Sequence, residues 1–496
     1  MLSLTKYYCR LLIFSALIVL SASCKKGWLD ETSSAQISSE AQFSTEGGFL
    51  DALMGVYISM TQPDGYSRDM GWFLMDHLSR TFVTSIYSYD YLDFENFNYY
   101  STRSKPVVDR IWARAYHTIA NINNALNALE EKKAILDPIN YTLIKGELLA
   151  LRAFNHFELM RVFGHSGYAN RPELASKKAI PYATEYSKKF PDQYSYQETF
   201  LKMENDINAA LELLKKDDPI YTKTSRPAGY YDHVNRNGFY DNRELRMNYY
   251  AALALKARVL MWQGTAEKKA QALTIAREVI NDAPAALITS NPGNNHVLKG
   301  EDLFTLNVQR LDEIADLYLN GNNQTLGGAA YLIQAMADEI YETANPNIGL
   351  VDYRYTTLLE LQMLGRVPIR LRQAGKSIES GYRERLPMIR ISEMYYIAAE
   401  AQLETNLAGA IADLNTVRRA RGIIDDIDAG ASKQTVEEEI TKEYRKDFVS
   451  EGQLFYYYKR KGFTTFSGLP TGKVADDALY MLPYPDNEFE FGGRVQ

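Results

Sequence analysis

The densest run of side chains able to hold a ligand is "SIYSYDYLDFENFNYYSTRS", residues 85–104. Tyr87, Tyr89 and Tyr91 alternate with Ser88 and Asp90, and in an extended segment a period of two sets all three rings on one face. Phe94, Phe97, Tyr99 and Tyr100 follow. A tyrosine offers an apolar face with a polar tip. Beside Asp and Asn such rings suit a sugar, whose C–H face stacks while its hydroxyls bond to carboxylates and amides. The competing reading packs the loop on a scaffold and buries most of these rings, although burial of all seven is not expected. Trp72, in "GYSRDMGWFLMDH", stands either as a stacking platform or as a core residue. A second loop, "PAGYYDHVNRNGFYDNRE" at 227–244, carries Tyr230, Tyr231, Asp232, Asn235 and Asn237. Turn chemistry explains most of its composition, and Tyr231 is its ligand-binding candidate.

Catalytic motifs fail when tested. "AGKS" at 374–377 ends like a phosphate loop, but the position of its first glycine holds Arg370. There is no nucleophile elbow and no His-Glu-x-x-His. The six histidines, at 77, 117, 156, 165, 233 and 296, form no pair at ligand spacing on one helix. "DIDAGASKQTVE" has Asp426, Asp428 and Glu437 but lacks the fifth-position ligand and the glycine at six of a calcium loop. No spacing marks a pair of catalytic carboxylates. The expectation is a binding protein with no catalytic residue, no metal and no cofactor.

The chain has two cysteines, Cys9 and Cys24, too few for a disulfide framework or a thiolate metal site. Lys6 and Arg10 precede the apolar run Leu11 to Leu20. Ser21-Ala22-Ser23 then leads directly into Cys24. Residues 1–23 read as a lipoprotein signal peptide, with Cys24 as the lipid anchor. One departure stands out: Ser21 occupies the position where leucine is usual, and Leu20 lies one place further out. Loss of Lys6 and Arg10 with the leader takes the formal charge from -7 to -9. An acidic, lipidated chain without a basic block is a poor partner for nucleic acid. No other apolar run is long enough to span a bilayer.

The elements that must hold these residues are helices. Residues 24–45 are a polar tether. Helical patterns then recur in pairs, at about 106–164, 193–281, 387–422 and 435–461. They include "NYYAALALKARVLMWQG" with "EKKAQALTIAREVIND", and "RISEMYYIAAEAQLE" with "LAGAIADLNTVRRARG". Large and small residues alternate across pairs of roughly 34 residues, the tetratricopeptide pattern in loose form. Pro106 is placed for a first turn, Gly164 for a C-terminal cap, and Thr435 with Glu438 for a capping box. Irregular stretches at about 64–105 and 284–385 interrupt the pairs, and long loops in a compact domain are usually functional. The expected fold is all-α, a single domain over 46–496 with loop-rich insertions carrying the ligand surface.

With those segments in view, the chain resembles the SusD/RagB-like outer-membrane lipoproteins, the nutrient-binding partners of SusC-like TonB-dependent transporters. The resemblance runs through Trp112, Tyr116, Ile119 and Asn123, then "GELLALRAFNHFELMRVFG". It continues in Arg390, Glu393, Ala399, Glu400, Leu414, Asn415, Arg418 and Arg421, in "EYRKDFVSEGQLFYYYKRKG", and in the closing "LPYPDNEF". Gln453 stands where an arginine is usual and Tyr457 where an aspartate is usual, so a contact there is expected to differ. Membership implies a lipid-anchored protein on the outer membrane, facing outward, that passes oligosaccharide to the transporter. The alternatives are a peptide-binding member of the same family, a lipidated glycosidase and a plain helical-repeat scaffold.

Overall fold

The computed structural model describes residues 39–84, 89–319, 330–362, 365–373 and 380–496. Ten helices make the frame. They are α1 (Glu46–Met60), α2 (Ser104–Glu131), α3 (Pro138–Phe163), α4 (Tyr196–Asp217), α5 (Tyr249–Gln263), α6 (Ala266–Asp282), α7 (Ile391–Ala401), α8 (Leu407–Ala420), α9 (Lys433–Asp447) and α10 (Gln453–Lys461). From α1 to α8 each helix packs on the next, including α6 on α7 across the long excursion that separates them in sequence. The array is mostly helical and TPR-like, as expected. Among the described residues no helix is long and apolar enough to cross a membrane.

Local sequence sets the helix starts. Asp137 caps α3 through Ile139 N–H with Pro138 in the first turn. Ser195 and Glu198 form a full capping box on α4, and Thr265 caps α6. Each such cap satisfies donors that would otherwise lack an intrahelical partner, worth about 1 kcal/mol. The expected Thr435–Glu438 box gives way to Ser432, whose hydroxyl accepts from Thr435 N–H, so α9 begins three residues earlier. Gly164 ends α3 in an extended conformation (φ -86°) rather than a left-handed one. Its glycine is required by proximity instead, since a Cβ would lie 2.8 Å from the Tyr196 hydroxyl. Left-handed glycine caps stand instead at Gly264, between α5 and α6 (φ +69°), and at Gly462, after α10 (φ +68°).

Helix α3 is the centre of the apolar core, buried on every side and wrapped by α1, α2, α4 and α5. Motif polar residues hold the frame together from within. Asn123 accepts from Arg152 and donates to the Ala183 carbonyl, while Arg152 clamps Asp206 through two bonds of 2.7 and 2.6 Å. Gln453 accepts from Arg161 at 2.8 Å, and Tyr457 stacks on Tyr444 at 4.1 Å and meets the Thr441 hydroxyl. These contacts occupy the two positions where the sequence departs from the usual motif.

The excursion between α6 and α7 is closed at its neck by antiparallel strands Asp302–Asn307 and Arg385–Arg390. Beneath the neck lies a lattice of buried charges. Arg390 donates to Glu301, Glu451 and Asp447, and Arg421 grips Glu301 and Asp447. Arg354 joins Asp352 to Glu443, and Arg418 reaches the other Glu443 oxygen. Burial alone would raise the Glu443 carboxyl, but Arg354, Lys446 and Arg418 draw it down to about 2. Asp447 is likewise held well below the usual carboxylate range by Arg390, Arg421 and Arg354, against its burial.

Removing one partner of a buried pair strands the other, at a cost of about 3–5 kcal/mol. Glu301→Gln, which weakens the hold on both Arg390 and Arg421, is expected to lose stability on that scale in urea unfolding. A folded-state value for Glu443 below the unfolded value of about 4.3 means the carboxylate stabilises above that pH and loses its contribution as pH falls towards 2. Thermal midpoints measured from pH 7 to pH 2 should therefore fall steeply below about pH 5.

Candidate functional site

The two insertions singled out in the sequence meet. Val83 and Thr84 pair antiparallel with Tyr331 and Ala330. Leu332 exchanges two 2.8 Å backbone bonds with Arg366, and Arg366–Pro368 pairs antiparallel with Leu359–Leu361. These two ladders, linked by the Leu332–Arg366 bridge, form a small four-segment sheet to which the first insertion gives Val83–Thr84 and the second the other three segments, with the helices Leu311–Leu319 and Gln334–Tyr341 beside it.

The outer layer of this face is polar and held in place. The Arg366 guanidinium lies 4.0 Å over the Tyr355 ring and donates from Nε to Gln334 at 3.2 Å. Asp338 accepts from the Tyr355 hydroxyl and from Gln334, both at 2.8 Å. Burial works to raise the Asp338 carboxyl, yet the bonds from Gln334, Tyr355 and Thr343 keep it below its ordinary value, so it is charged at neutral pH. Arg372 bridges Asp316 and Glu360. Tyr331 and Tyr318 are half-buried, with Leu361, Ile333 and Leu317 exposed around them. Fixed donors and acceptors beside half-open rings give the two contacts a pyranose needs, hydrogen bonds for its hydroxyls and a face for its C–H groups.

Beneath the outer layer is an aromatic box. Arg68 pairs with Asp69 through two bonds, donates to the Tyr318 hydroxyl at 3.0 Å, and lies over the Tyr91 and Tyr318 rings. Phe73 meets Tyr91 edge-on at 4.7 Å and Tyr318 at 4.6 Å. The box joins the first insertion to the second.

Two family models cover most of the chain. One, described as starch-binding associating with outer membrane, matches residues 27–232. The other, described as the SusD family, matches residues 318–489. The chain belongs to the SusD/RagB-like family. Solved structures that it resembles include a SusD-like carbohydrate binding protein from Bacteroides vulgatus ATCC 8482, with TM-score 0.68 and 17% identity over 90% of this chain and 96% of that one. A SusD superfamily protein from Bacteroides thetaiotaomicron VPI-5482 gives TM-score 0.67 and 22% identity, covering 91% of this chain and 99% of that one. Surface glycan-binding protein A from Bacteroides thetaiotaomicron gives 0.63 and 16%, covering 92% and 99%. At these identities the likeness establishes the SusD fold. No curated protein matches the sequence.

Against this geometry, Trp72 and Tyr91 require correction. Trp72 is wholly buried, its indole N–H bonded to the Ser67 carbonyl and its ring against Phe73. Tyr91 is only 4% exposed and donates to Asp69 at 2.8 Å. Burial, then the Asp69 charge, raises its phenol well above the usual value, which keeps it a neutral donor. Neither ring offers a free face to a ligand. The physical reason is backbone shape: Tyr89–Asn96 is a 3-10 helix, not an extended segment, so alternation does not sort its rings onto one side. Phe94, Phe97 and Tyr99 are buried with Tyr91, and Tyr100 stands 75% exposed. Tyr87, the Tyr89 side chain and Cys24 lie outside the described residues. Tyr231 is half-buried on the 227–244 loop, edge-on to Tyr230 and beneath Arg226, and no described contact joins it to the insertion sheet.

Tyr331, Tyr355, Arg366, Gln334 and Asp338 were not singled out by sequence reasoning, which marked 284–385 only as a region. Tyr331 and Arg366 sit on strands of two and three residues, and Tyr355, Gln334 and Asp338 on helices of four and eight, all too short for a periodic signal. As core residues, Trp72 and Tyr91 should show their effect in stability. Trp72→Ala is expected to cost about 3–5 kcal/mol in chemical unfolding, whereas Tyr100→Ala, an exposed ring on the same insertion, should leave the unfolding midpoint within error.

Proposed function

We propose that this protein is a non-enzymatic, outward-facing lipoprotein of the outer membrane that captures oligosaccharide and passes it to a SusC-like TonB-dependent transporter. Membership of a family whose model is described as starch-binding and associated with the outer membrane supports the class of ligand and the location. The carbohydrate- and glycan-binding names of structural neighbours point the same way. Cys24 is the proposed anchor, with acyl chains on its thiol and amine holding the protein for far longer than one chain could.

The observation that carries the reading is the meeting of the two insertions where Val83 and Thr84 pair with Tyr331 and Ala330, next to the Leu332–Arg366 bridge. Sugar binds there by stacking on half-open rings and by hydrogen bonds to Arg366, Gln334 and Glu360. Tyr87 and Tyr89, on the segment leading out of the Val83–Thr84 strand, are proposed to extend this surface. Each contact is weak, so ligand is released readily to a partner. A peptide ligand would instead call for backbone pairing along a sheet edge.

Affinity electrophoresis through gels containing amylopectin, xylan, arabinan or dextran tests the proposal. At least one polymer should retard the protein, and Arg366→Ala and Tyr331→Ala should each reduce that retardation at least threefold with little change in thermal midpoint. An unretarded protein in every gel would contradict it. Cys24→Ala should release the protein from the membrane fraction of the cells that make it, and retention there would remove Cys24 as the anchor.

A further inference from the structure

A second hollow lies on the helical frame and shares no element with the insertion sheet. Helix α2 forms its floor, the segment 181–194 one wall and the C-terminal segment 485–494 the other. It comprises two compartments of about 560 and 380 Å³, with Tyr116, Phe190 and Pro191 forming the ridge they share. Each compartment alone is within the range of small-ligand sites, roughly 300–1,000 Å³.

The floor is built rather than incidental. The Trp112 indole N–H donates to Glu488 at 3.1 Å, and Arg494 holds the other Glu488 oxygen. The Tyr116 hydroxyl donates to the Pro181 carbonyl at 2.7 Å. Trp112 packs against Tyr116 and Tyr484 at 4.8 and 4.6 Å. The two walls are tied together, since Gln193 exchanges hydrogen bonds with both the carbonyl and the N–H of Val495.

Five of the Phe, Tyr and Trp side chains among the described residues stand exposed: Tyr186 (58%) and Phe190 (60%) line the hollow, Phe489 (44%) and Phe491 (63%) lie on the C-terminal segment outside its lining, and Tyr100 is on the first insertion. Leaving large rings in water forgoes roughly 1.5–3 kcal/mol of burial for each, and a cluster of them marks a binding surface. Asp109, Asp486 and Asn487 place carboxylates and an amide among the rings, with Asp486 and Asn487 exposed. Stacking faces with acceptors set between them are the chemistry of sugar recognition. Lys105 pairs with both Asp109 (3.2 Å) and Asp486 (3.3 Å), and a purely apolar segment of protein would take this charged cluster out of water.

We propose that this groove is a second oligosaccharide-binding site, with Phe190 and Tyr186 as stacking platforms and Asp109, Asp486 and Asn487 as hydroxyl partners. The inference rests on the reading of the protein as a glycan binder. Two separated sites on one chain hold a long polymer by effective concentration, beyond the affinity of either alone.

Isothermal titration with maltoheptaose, xylohexaose and arabinohexaose tests it. The expected result is two molecules per chain for at least one of them. That number should fall to one in the double variant Tyr186→Ala/Phe190→Ala, with the thermal midpoint unchanged because both rings are exposed. Arg366→Ala should remove the other molecule. A stoichiometry of one, lost in Arg366→Ala and untouched by the double variant, overturns the second site and leaves the proposed function standing. A double variant that keeps its full glycan stoichiometry but no longer co-purifies with a membrane partner overturns it too, and gives the groove to protein. No heat with any oligosaccharide removes both proposals.

Discussion

The neck of the insertion is the constraint on which the rest depends. Helices α6 and α7 pack as neighbours, yet the chain leaves at Asp282 and returns only at Ile391. The strands Asp302–Asn307 and Arg385–Arg390 bring the two ends together, and Arg390 and Arg421 lock them to Glu301 and Asp447. Hydrophobic packing would not fix that register alone, because apolar contact has no direction. Charged groups buried at the junction do, since a shift by one residue would leave several of them without partners in a medium that does not tolerate it. The same lattice ties Asp352 and Arg354 to Glu443 on α9, so the insertion is held at its base and again along its path.

Frame and insertion are stabilised differently, and the difference suits their tasks. The frame is a packed stack around α3, with caps and apolar faces giving each helix its ends and its orientation. Along the insertion the elements are short strands and brief helices held by Arg–carboxylate bonds and by the aromatic box around Arg68. A site of fixed donors needs supports that are themselves fixed. Arg366 meets this need through Tyr355 and Gln334, which are in turn fixed by Asp338.

Much of the frame was readable in the sequence because helices repeat every 3.6 residues over many turns. The pairs α2–α3, α5–α6 and α7–α8 follow the apolar spacing closely, and Gly264 marks a true left-handed end. The Ser432 cap was missed because Thr435, three residues later, carries the same chemistry. Site residues were harder for a different reason. Tyr87, Tyr89 and Tyr91 form an alternating pattern only if the backbone is extended, and the Tyr89–Asn96 turn removes that premise. Buried tyrosines such as Tyr91 look like surface residues in sequence, because their hydroxyl partners, here Asp69, lie elsewhere in the chain. The junction of Val83 with Tyr331 and of Leu332 with Arg366 joins segments that no local pattern links.

Hydrogen exchange on the protein with and without the polymer that retards it most strongly tests the central claim most directly. Sugar bound where the insertions meet should slow exchange at the amides of 330–332 and 359–361 relative to the free protein. Unchanged exchange across both segments, in the presence of a polymer that demonstrably binds, would contradict the account and move the ligand away from the insertion sheet.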